Sequence, residues 1–373
     1  MKDALSHCQE PVHKVIFIKT HKTGSSTIAT TVVRYADEKH LKLATPKYTH
    51  IFHQVKPFNH HMVLSFGDMG KFDMLASHAR YDRKQMDMVV PKAKYITILR
   101  DPVRQLESAY SYYAMGKHIG IQADGNHELE SFLKRPRYYF NDFEYHMKVQ
   151  SWNGQIFDLG LDHTYHRNIE VVQDKIHSLD KELELVMIKE YFDESLLLLR
   201  KIFCWEWQDI VYISKGVRKQ SLRQDISPEL AAKIRQWNSA DVQLYDHFNR
   251  TFWKKLHEYG PDLQKDLAYF RQLKRNVSTI CVDVNSQSHY DKRVEAHTLK
   301  ASAPPFCWRV MAQTMHYVNW VKFKYISYRV IIPFTIILAI FVALILFYRC
   351  YKNYRNSEYT YEKLHNISII RLK

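Results

Sequence analysis

The stretch KVIFIKTHKTGSSTIATTVVRYADEKH, from Lys14 to His40, decides the fold. Its first part, Lys14–Lys19, is a short apolar run rich in β-branched residues, which predicts a buried strand. A loop of small, hydroxyl-bearing residues follows, and a helix is predicted next, with Ser25 or Ser26 as its N-cap. A strand, a small-residue loop and a helix in this order aim backbone N–H groups at one point, where an anion can bind.

This loop is not a Walker A phosphate-binding loop. That motif requires a lysine directly after a second glycine, whereas Lys22 precedes the only glycine of the loop, Gly24. The N–H groups from Thr23 to Thr27 and the helix dipole can still hold a phosphate. On composition alone, an anion site and an ordinary strand-to-helix turn both remain open.

Further strands alternate with helices along the chain. The predicted strands lie at 73–81, at 94–99 and within 182–192. One further helix is predicted to begin at Pro102, and a second is predicted to have Asp193 as its N-cap. A third is predicted to begin at Ser227 and to end near Gly260. This alternation predicts an α/β fold with a central, mainly parallel sheet flanked by helices. Ligands of such sheets bind at the carboxyl ends of the strands.

Chemically active side chains follow three of the four predicted strands: the loop after Lys19, then His78, then Arg100. Arg100 can hold a phosphate with two parallel hydrogen bonds, and Ser108 in the following helix can reach the same group. The alternative for Arg100 is a weak surface ion pair with Asp101.

The histidines of these segments, His21 and His78, allow two interpretations. Each is a candidate for proton transfer because it follows a strand end, and each can equally be an ordinary, partly buried histidine. The chain has 21 histidines, so position alone does not choose.

The composition favours a folded protein with an anionic partner. Hydrophobic residues make up 46% of the 373 residues, enough for a core. The formal charge is 54 − 39 = +15. This excess favours a phosphorylated cofactor, an acidic glycan, a nucleic acid or a lipid headgroup without choosing among them.

An uncharged apolar run, Val330–Phe347, predicts a transmembrane helix, with a buried core helix as the alternative. The flanking positive charges are nearly balanced, so its orientation stays open. The first ten residues, MKDALSHCQE, contain no apolar region, so no signal peptide is visible.

Four segments together resemble one known family, the Golgi galactose 3-O-sulfotransferases. FIKTHKTGSST (17–27) resembles their 5′-phosphosulfate-binding loop, and ITILRDPVRQLESAYSYY (96–113) is similar to their 3′-phosphate-binding motif. EYFDESLLLLRKIFCWEWQDIVY (190–212) and LYDHFNRTFWKKL (244–256) resemble their downstream segments. The resemblance runs from about Cys8 to Trp320.

The resemblance implies a P-loop-like sulfotransferase fold and an enzyme that uses 3′-phosphoadenosine 5′-phosphosulfate (PAPS) without a metal. Its acceptor would be the 3-hydroxyl of galactose on a galactosylceramide-like glycolipid or on a glycan, and the residues that read the rest of the acceptor are expected between Met115 and Asn168. The residues expected at the 5′-phosphosulfate are Lys22, Thr23, Gly24, Ser25, Ser26 and Thr27, with Lys19 in support. Arg100 and Ser108 are expected at the 3′-phosphate.

The same resemblance suggests roles for three side chains in transfer. We expect His78 to be the base that takes the proton of the acceptor hydroxyl, with His21 as the second candidate. Lys22 is expected at the bridging oxygen that leaves with the phosphate.

The family also implies a Golgi membrane location with a luminal catalytic domain. Family members usually carry an N-terminal anchor, whereas here the apolar run stands at the other end. The expected segments are a catalytic domain at 1–310, a juxtamembrane segment at 311–329, a transmembrane helix at 330–348 and a short basic tail at 349–373. Membrane is an expected partner and nucleic acid is not, while monomer and homodimer both stay open.

Luminal exposure would allow disulfides and glycans. The pairings Cys281 with Cys307 and Cys8 with Cys204 are favoured among the three that four cysteines allow. Sequons stand at Asn249 and Asn276.

Two other functions compete with the sulfotransferase. One is an inactive, membrane-tethered relative that only binds nucleotide or glycan. The presence of all five expected site residues disfavours it: His21, Lys22, His78, Arg100 and Ser108. The other is a P-loop kinase, which the missing second glycine disfavours.

Overall fold

The computed structural model describes residues 10–53, 55–122, 126–214, 217–218, 225–287, 294–295 and 297–370. The chain divides into two compact units, one up to Asn319 and one from Trp320 onward. The first unit contains the sheet and all segments that resemble the family. The expected domain boundaries at 310, 329 and 348 stay predictions.

A five-stranded sheet lies at the centre of the first unit. Its strands are β1 (Val15–Ile18), β2 (Leu43–Ala44), β3 (Met74–Leu75), β4 (Lys94–Leu99) and β5 (Leu183–Ile188). The strand order is β2-β3-β1-β4-β5, and each pairing described in this sheet is parallel. The central strand β1 is completely buried. Its unbroken apolar sequence fits this position, because a strand covered on both faces has no side chain that faces water. The predicted α/β class with a mainly parallel sheet is confirmed.

Two short antiparallel ribbons lie outside this sheet. Strand β6 (Val217–Arg218) pairs with β8 (Val294–Glu295), and β7 (Val282–Gln287) pairs with β9 (His297–Leu299).

Helices connect and cover the strands. They are α1 (Ser25–Glu38), α2 (Arg83–Asp87), α3 (Pro102–Tyr112), α4 (Met115–His118), α5 (Asn126–Lys134), α6 (Pro136–Phe140), α7 (Tyr145–Ser151), α8 (Gly154–Asp158), α9 (Ile169–Glu182), α10 (Phe192–Phe203), α11 (Trp207–Ile210), α12 (Pro228–Trp237), α13 (Ser239–Glu258), α14 (Leu263–Cys281), α15 (Pro305–Met311), α16 (Thr314–Ile326) and α17 (Ile332–Ile370). Helix α1 packs against β2 and β3, whereas α9, α10 and α13 pack against β5. Between α3 and α9 the described residues form mostly short helices.

The N-cap predicted for α1 is wrong. The cap is Gly24, in the left-handed region with φ 82°, and Ser25 and Ser26 are the first helical residues. Ser25 cannot cap the helix with its side chain because its hydroxyl donates backwards to the carbonyl of Thr20, at 2.5 Å.

Of two further predicted helix caps, one is confirmed and one is wrong. The Ser227 cap is confirmed, since its hydroxyl accepts the N–H of Leu230, but the long helix predicted after it breaks at Asn238 into α12 and α13. The Asp193 cap is wrong: Tyr191 is the N-cap of α10, and the Asp193 carboxylate binds the ammonium of Lys274 at 2.6 Å.

The favoured disulfide between Cys281 and Cys307 is present in the structure. Cys281, the last residue of α14, is bonded to Cys307 in α15. Cys204 is also disulfide-bonded, and its expected partner, Cys8, lies outside the described residues. Cys350 is free and exposed.

The second unit consists of the end of α16, a π-helical turn at Ser327–Ile331 and α17. Thr314–Cys350 is the one helical stretch among the described residues that is long and apolar enough to cross a bilayer, with a mean hydropathy of 3.1 over its most apolar window. None of that window is buried, so the alternative of a buried core helix is wrong. Pro333 follows the π-helical turn inside this continuous helical stretch, so its missing N–H removes one hydrogen bond of the helix at that point and does not coincide with a free helix start.

The disulfide between α14 and α15 gives a stability prediction. The double replacement Cys281→Ser/Cys307→Ser removes a link across 26 residues and is expected to lower the free energy of unfolding by about 3 kcal/mol relative to the unaltered chain. Urea unfolding in detergent measures this. The control, Cys350→Ser, should leave the midpoint unchanged, and an equal midpoint for both variants would contradict a stabilising role for the link.

Candidate functional site

The sheet order brings the three predicted site segments side by side. Strand β1 lies between β3 and β4, so the loop after Ile18, the segment with His78 and the residue Arg100 all leave the same edge of the sheet. Two contacts join them directly. The rings of His21 and His78 stack with centroids 4.2 Å apart, and Arg100 Nη1 donates to the carbonyl of Lys22 at 3.1 Å.

The loop after β1 forms a cradle of backbone N–H groups. Thr23 and Ser25 turn their hydroxyls inward, and both donate to the carbonyl of Thr20. Within the described residues, the N–H groups of Thr23, Gly24, Ser25 and Ser26 have no acceptor. Lys22 and Gly24 are left-handed, with φ 62° and 82°. Such alternation curves consecutive N–H groups around one point, which is a typical anion-binding geometry.

Thr27 differs from the other loop residues. Its N–H donates to the carbonyl of Gly24 at 3.1 Å, so this N–H is already used. The Thr27 side chain is buried in the first turn of α1, and Ser26 is exposed beside it.

Lys19 is a buried cation beside this cradle. Only 7% of the residue is exposed, and within the described residues its ammonium makes no hydrogen bond or ion pair. Burial alone lowers the pKa of Lys19 to about 8. A buried ammonium without a carboxylate partner is costly, and an anionic ligand would provide the missing charge.

Lys189 is a cation of the site that the sequence reasoning missed. It directly follows β5 and reaches across to the cradle, where a Cβ added at Gly24 would lie 2.9 Å from its Cδ and 3.4 Å from its Nζ. Burial, and next the nearby Arg100, lower the pKa of Lys189. Applying the strand-end rule to the fourth strand would have found it.

His78 is held in one tautomer. Its Nδ1 donates to the carbonyl of Lys19 at 3.1 Å, which leaves the Nε2 lone pair available. Burial, then the positive charge of Lys19 and the neighbouring His21, hold the pKa of His78 well below its ordinary value. His78 is therefore neutral at physiological pH and able to accept a proton.

His21 is held by a residue from α8 that the sequence did not single out. Asp158 accepts both the backbone N–H and Nδ1–H of His21, at 2.8 and 2.9 Å. Gln150 also approaches this Nδ1, at 3.1 Å. The Asp158 carboxylate thus fixes the orientation of the His21 ring. Like Nε2 of His78, Nε2 of His21 has no hydrogen-bond partner within the described residues.

Arg100 is positioned by its backbone. Its N–H donates to Gln155 Oε1 at 2.8 Å, and its carbonyl accepts from the same amide at 2.9 Å. The surface-pair alternative is wrong, because Asp101 caps α3 and pairs with Arg235 at 2.7 Å. Ser108 lies partly exposed within α3, and its hydroxyl makes no hydrogen bond within the described residues.

The Lys22 side chain lies against α3. Its ammonium is 3.5 Å from the centroid of the Tyr112 ring, a cation–π contact. The cations around the cradle are thus fixed by different elements: Lys19 by β1, Lys22 by α3 and Lys189 by the end of β5.

No group of three or more His, Cys, Asp or Glu among the described residues could hold a metal ion. The expectation that the reaction needs no metal stays a prediction.

Comparison with known proteins decides the family. A family model described as Galactose-3-O-sulfotransferase matches residues 3–315. The chain belongs to the galactose-3-O-sulfotransferase family. Its predicted membership is therefore confirmed, and with it a sulfotransferase that uses a sulfonate donor.

Individual relatives agree with this assignment. Mouse galactosylceramide sulfotransferase is 30% identical over 333 residues, which cover 84% of this chain and 78% of the relative. The human galactosylceramide enzyme is 33% identical, covering 74% of this chain and 65% of the relative, and human galactose-3-O-sulfotransferase 2 is 34% identical, covering 73% and 69%. A sulfotransferase structure from Alicyclobacillus acidocaldarius covers 65% of this chain and 97% of its own at 15% identity and a TM-score of 0.34.

The contact between Gly24 and Lys189 gives a prediction. Gly24→Ala forces a side chain into a left-handed residue and pushes Lys189 aside, so affinity for 3′-phosphoadenosine 5′-phosphate should fall about tenfold. Calorimetric titration measures it. The control is Gly67→Ala, which has the same backbone strain at φ 83° but meets no atom within 4 Å. Equal affinities for the two variants would show that strain alone, and not the cradle, is affected.

Proposed function

We propose that this chain transfers a sulfuryl group from PAPS to the 3-hydroxyl of a terminal galactose. The observation that carries the proposal is the cradle of unpaired N–H groups, which lies between a buried, unpartnered Lys19 and a neutral histidine with a free Nε2. Family membership supports sulfotransferase activity on galactose, and the names of the relatives support both a glycolipid and a glycan as acceptor.

The residues present fit the two anionic ends of PAPS. The cradle N–H groups with Lys19, Lys22 and Lys189 would hold the 5′-phosphosulfate, because dipoles and cations that converge on one point suit a charged oxyanion. Arg100, whose backbone is fixed by Gln155, would hold the 3′-phosphate together with Ser108. When bound, PAPS supplies the sulfuryl group.

His78 is our candidate for the base that takes the proton of the acceptor hydroxyl. Its Nδ1–H is fixed to the Lys19 carbonyl, so Nε2 is the atom that accepts the proton. The ring stacks on His21, and two protonated rings 4.2 Å apart would repel each other. Asp158 holds the His21 ring in place through Nδ1 and so fixes the surface on which His78 stacks.

Positive charge at the cradle would meet the negative charge that gathers on the leaving oxygen. Lys22 and Lys19 are proposed for this task, and Lys189 is added because it reaches the same loop. Three ammonium groups and the N–H groups provide this stabilisation without a metal.

The C-terminal helix is proposed to anchor the enzyme in the Golgi membrane with the first unit in the lumen. The support is the exposed apolar helix together with a disulfide, which forms in oxidising compartments. The second candidate function, a binding protein without activity, is favoured by no observation on the site.

The decisive experiment incubates the full chain in detergent with radiolabelled PAPS, EDTA and either galactosylceramide or N-acetyllactosamine. Transfer of label to the galactose 3-hydroxyl is expected. His78→Ala should lower kcat by about 10²–10⁴-fold while nucleotide affinity changes less than about threefold, because a base acts in the chemical step. The control is His257→Ala, an exposed histidine at the end of α13. Near-normal turnover of His78→Ala would transfer the role of base to His21, and nucleotide binding without transfer by the unaltered chain would favour the inactive relative.

The pKa of Lys19 predicts an alkaline limit. Lys19 holds an anion only when protonated, and its pKa is about 8, so kcat/KM for PAPS should fall as pH rises above 8. The low pKa of His78 places the acidic limit below pH 6.5. In Lys19→Arg the charge persists, so the alkaline limit should move upward, whereas Lys19→Met should bind weakly at every pH without that limit. An unchanged alkaline limit in both variants would exclude Lys19 as the titrating group.

A further inference from the structure

A second cationic site lies on the helical part of the first unit, away from the cradle. It is a cavity of about 690 Å³, a size typical of ligand sites. Four cations and two tryptophans lie around it: Arg135, Arg137, Arg167, Lys233, Trp152 and Trp237. No carboxylate lines the cavity within the described part of the chain.

The four cations have no carboxylate within bonding distance in the described residues. Arg135 and Arg137 are exposed at the start of α6, and Lys233 is exposed on α12. Arg167 lies over the ring of Trp152, with its guanidinium carbon 5.1 Å from the centroid. Like charges around one cavity repel unless an anion lies among them, so the arrangement suits a ligand with several negative charges.

The aromatic wall is rigid and already packed. Trp152 and Trp237 stack with centroids 5.4 Å apart, and the indole N–H of Trp237 donates to the carbonyl of Ser151 at 2.8 Å. One face of Trp152 is thus covered by Trp237, Arg167 lies over the ring, and only 9% of the residue is exposed. Trp152 therefore has no open ring face on which a nucleobase could stack.

The cavity is separate from the proposed donor site. Lys233 and Trp237 are four residues apart on α12 and therefore share one face of that helix. Arg235 lies between them, about 200° around the axis from each, and binds Asp101 next to the donor-binding Arg100. The cavity accordingly lies on the side of α12 that faces away from Arg100.

We propose that this cavity binds a polyanionic oligosaccharide, one that carries several sulfate or carboxylate groups. The cations would hold the charged groups, and the apolar edges of the tryptophans would contact the sugar rings. The inference goes beyond the proposed sulfuryl transfer, because binding here requires neither the donor nor the cradle.

The test measures fluorescence anisotropy of a labelled heparin hexasaccharide with the full chain in uncharged detergent and without PAPS. In the double variant Arg137→Glu/Lys233→Glu, affinity should fall at least about tenfold, because two charge-assisted contacts are lost. The matched control is Lys254→Glu/Lys265→Glu, which changes the net charge equally at exposed lysines of α13 and α14 and should stay within about twofold of the unaltered chain. Thermal unfolding of both variants confirms that they fold.

Three further probes complete the design: a labelled neutral chitohexaose, a labelled oligo(dT) and inorganic sulfate as competitor. Chitohexaose should bind at least about tenfold more weakly than the heparin hexasaccharide. The proposal is overturned by equal loss in the two double variants, by equal binding of chitohexaose, by tighter binding of oligo(dT), or by no binding of the hexasaccharide to the unaltered chain. Competition by sulfate at low millimolar concentration together with selective loss in the cavity variant supports it.

Discussion

The candidate site depends on one constraint: the chain must turn from β1 into α1 while the N–H groups from Thr23 to Ser26 stay without an acceptor in the described residues. The carbonyl of Thr20 makes this turn by accepting the hydroxyls of both Thr23 and Ser25. The Thr20 carbonyl is thus satisfied by two hydroxyls, and the backbone N–H groups from Thr23 to Ser26 keep no acceptor within the described residues. Left-handed conformations at Lys22 and Gly24 then curve those groups toward one point. The geometry of the proposed anion site is therefore a consequence of how the loop closes.

The second support comes from α8, which belongs to the helical part of the first unit. Asp158 fixes His21, and Gln155 fixes the backbone of Arg100. Both come from one five-residue helix, whose first N–H groups are held by the fully buried Asp241. Burial raises the pKa of Asp241 to about 7, so this carboxyl is close to its titration point near neutral pH. A single short helix thus sets the geometry at the histidines and at the arginine.

The sequence predicted those parts of the site that follow from local pattern. The strand at Lys94–Leu99 was predicted to the residue, and the three strand-end segments were predicted to meet, because carboxyl ends of parallel strands share an edge. Asp158 was missed because it lies 137 residues from His21, in a stretch without clear periodicity. The caps of α1 and α10 were wrong for two other reasons: Ser25 donates to the Thr20 carbonyl within its own loop, whereas Asp193 binds the distant Lys274, a tertiary partner that overrides the local preference.

In the proposed reaction, the electrostatics of the site would couple donor binding to proton transfer. Burial first, and then the positive charge of the nearby Lys19, lower the pKa of His78, so without a bound anion it is a weak base. An anion at the cradle would compensate the charge of Lys19, raise the pKa of His78 and make it a stronger base. Linkage requires the reverse as well, so a protonated His78 would hold the anion more tightly. The histidine would therefore accept a proton most readily once the donor is in place, and removal of the anion would favour release of that proton.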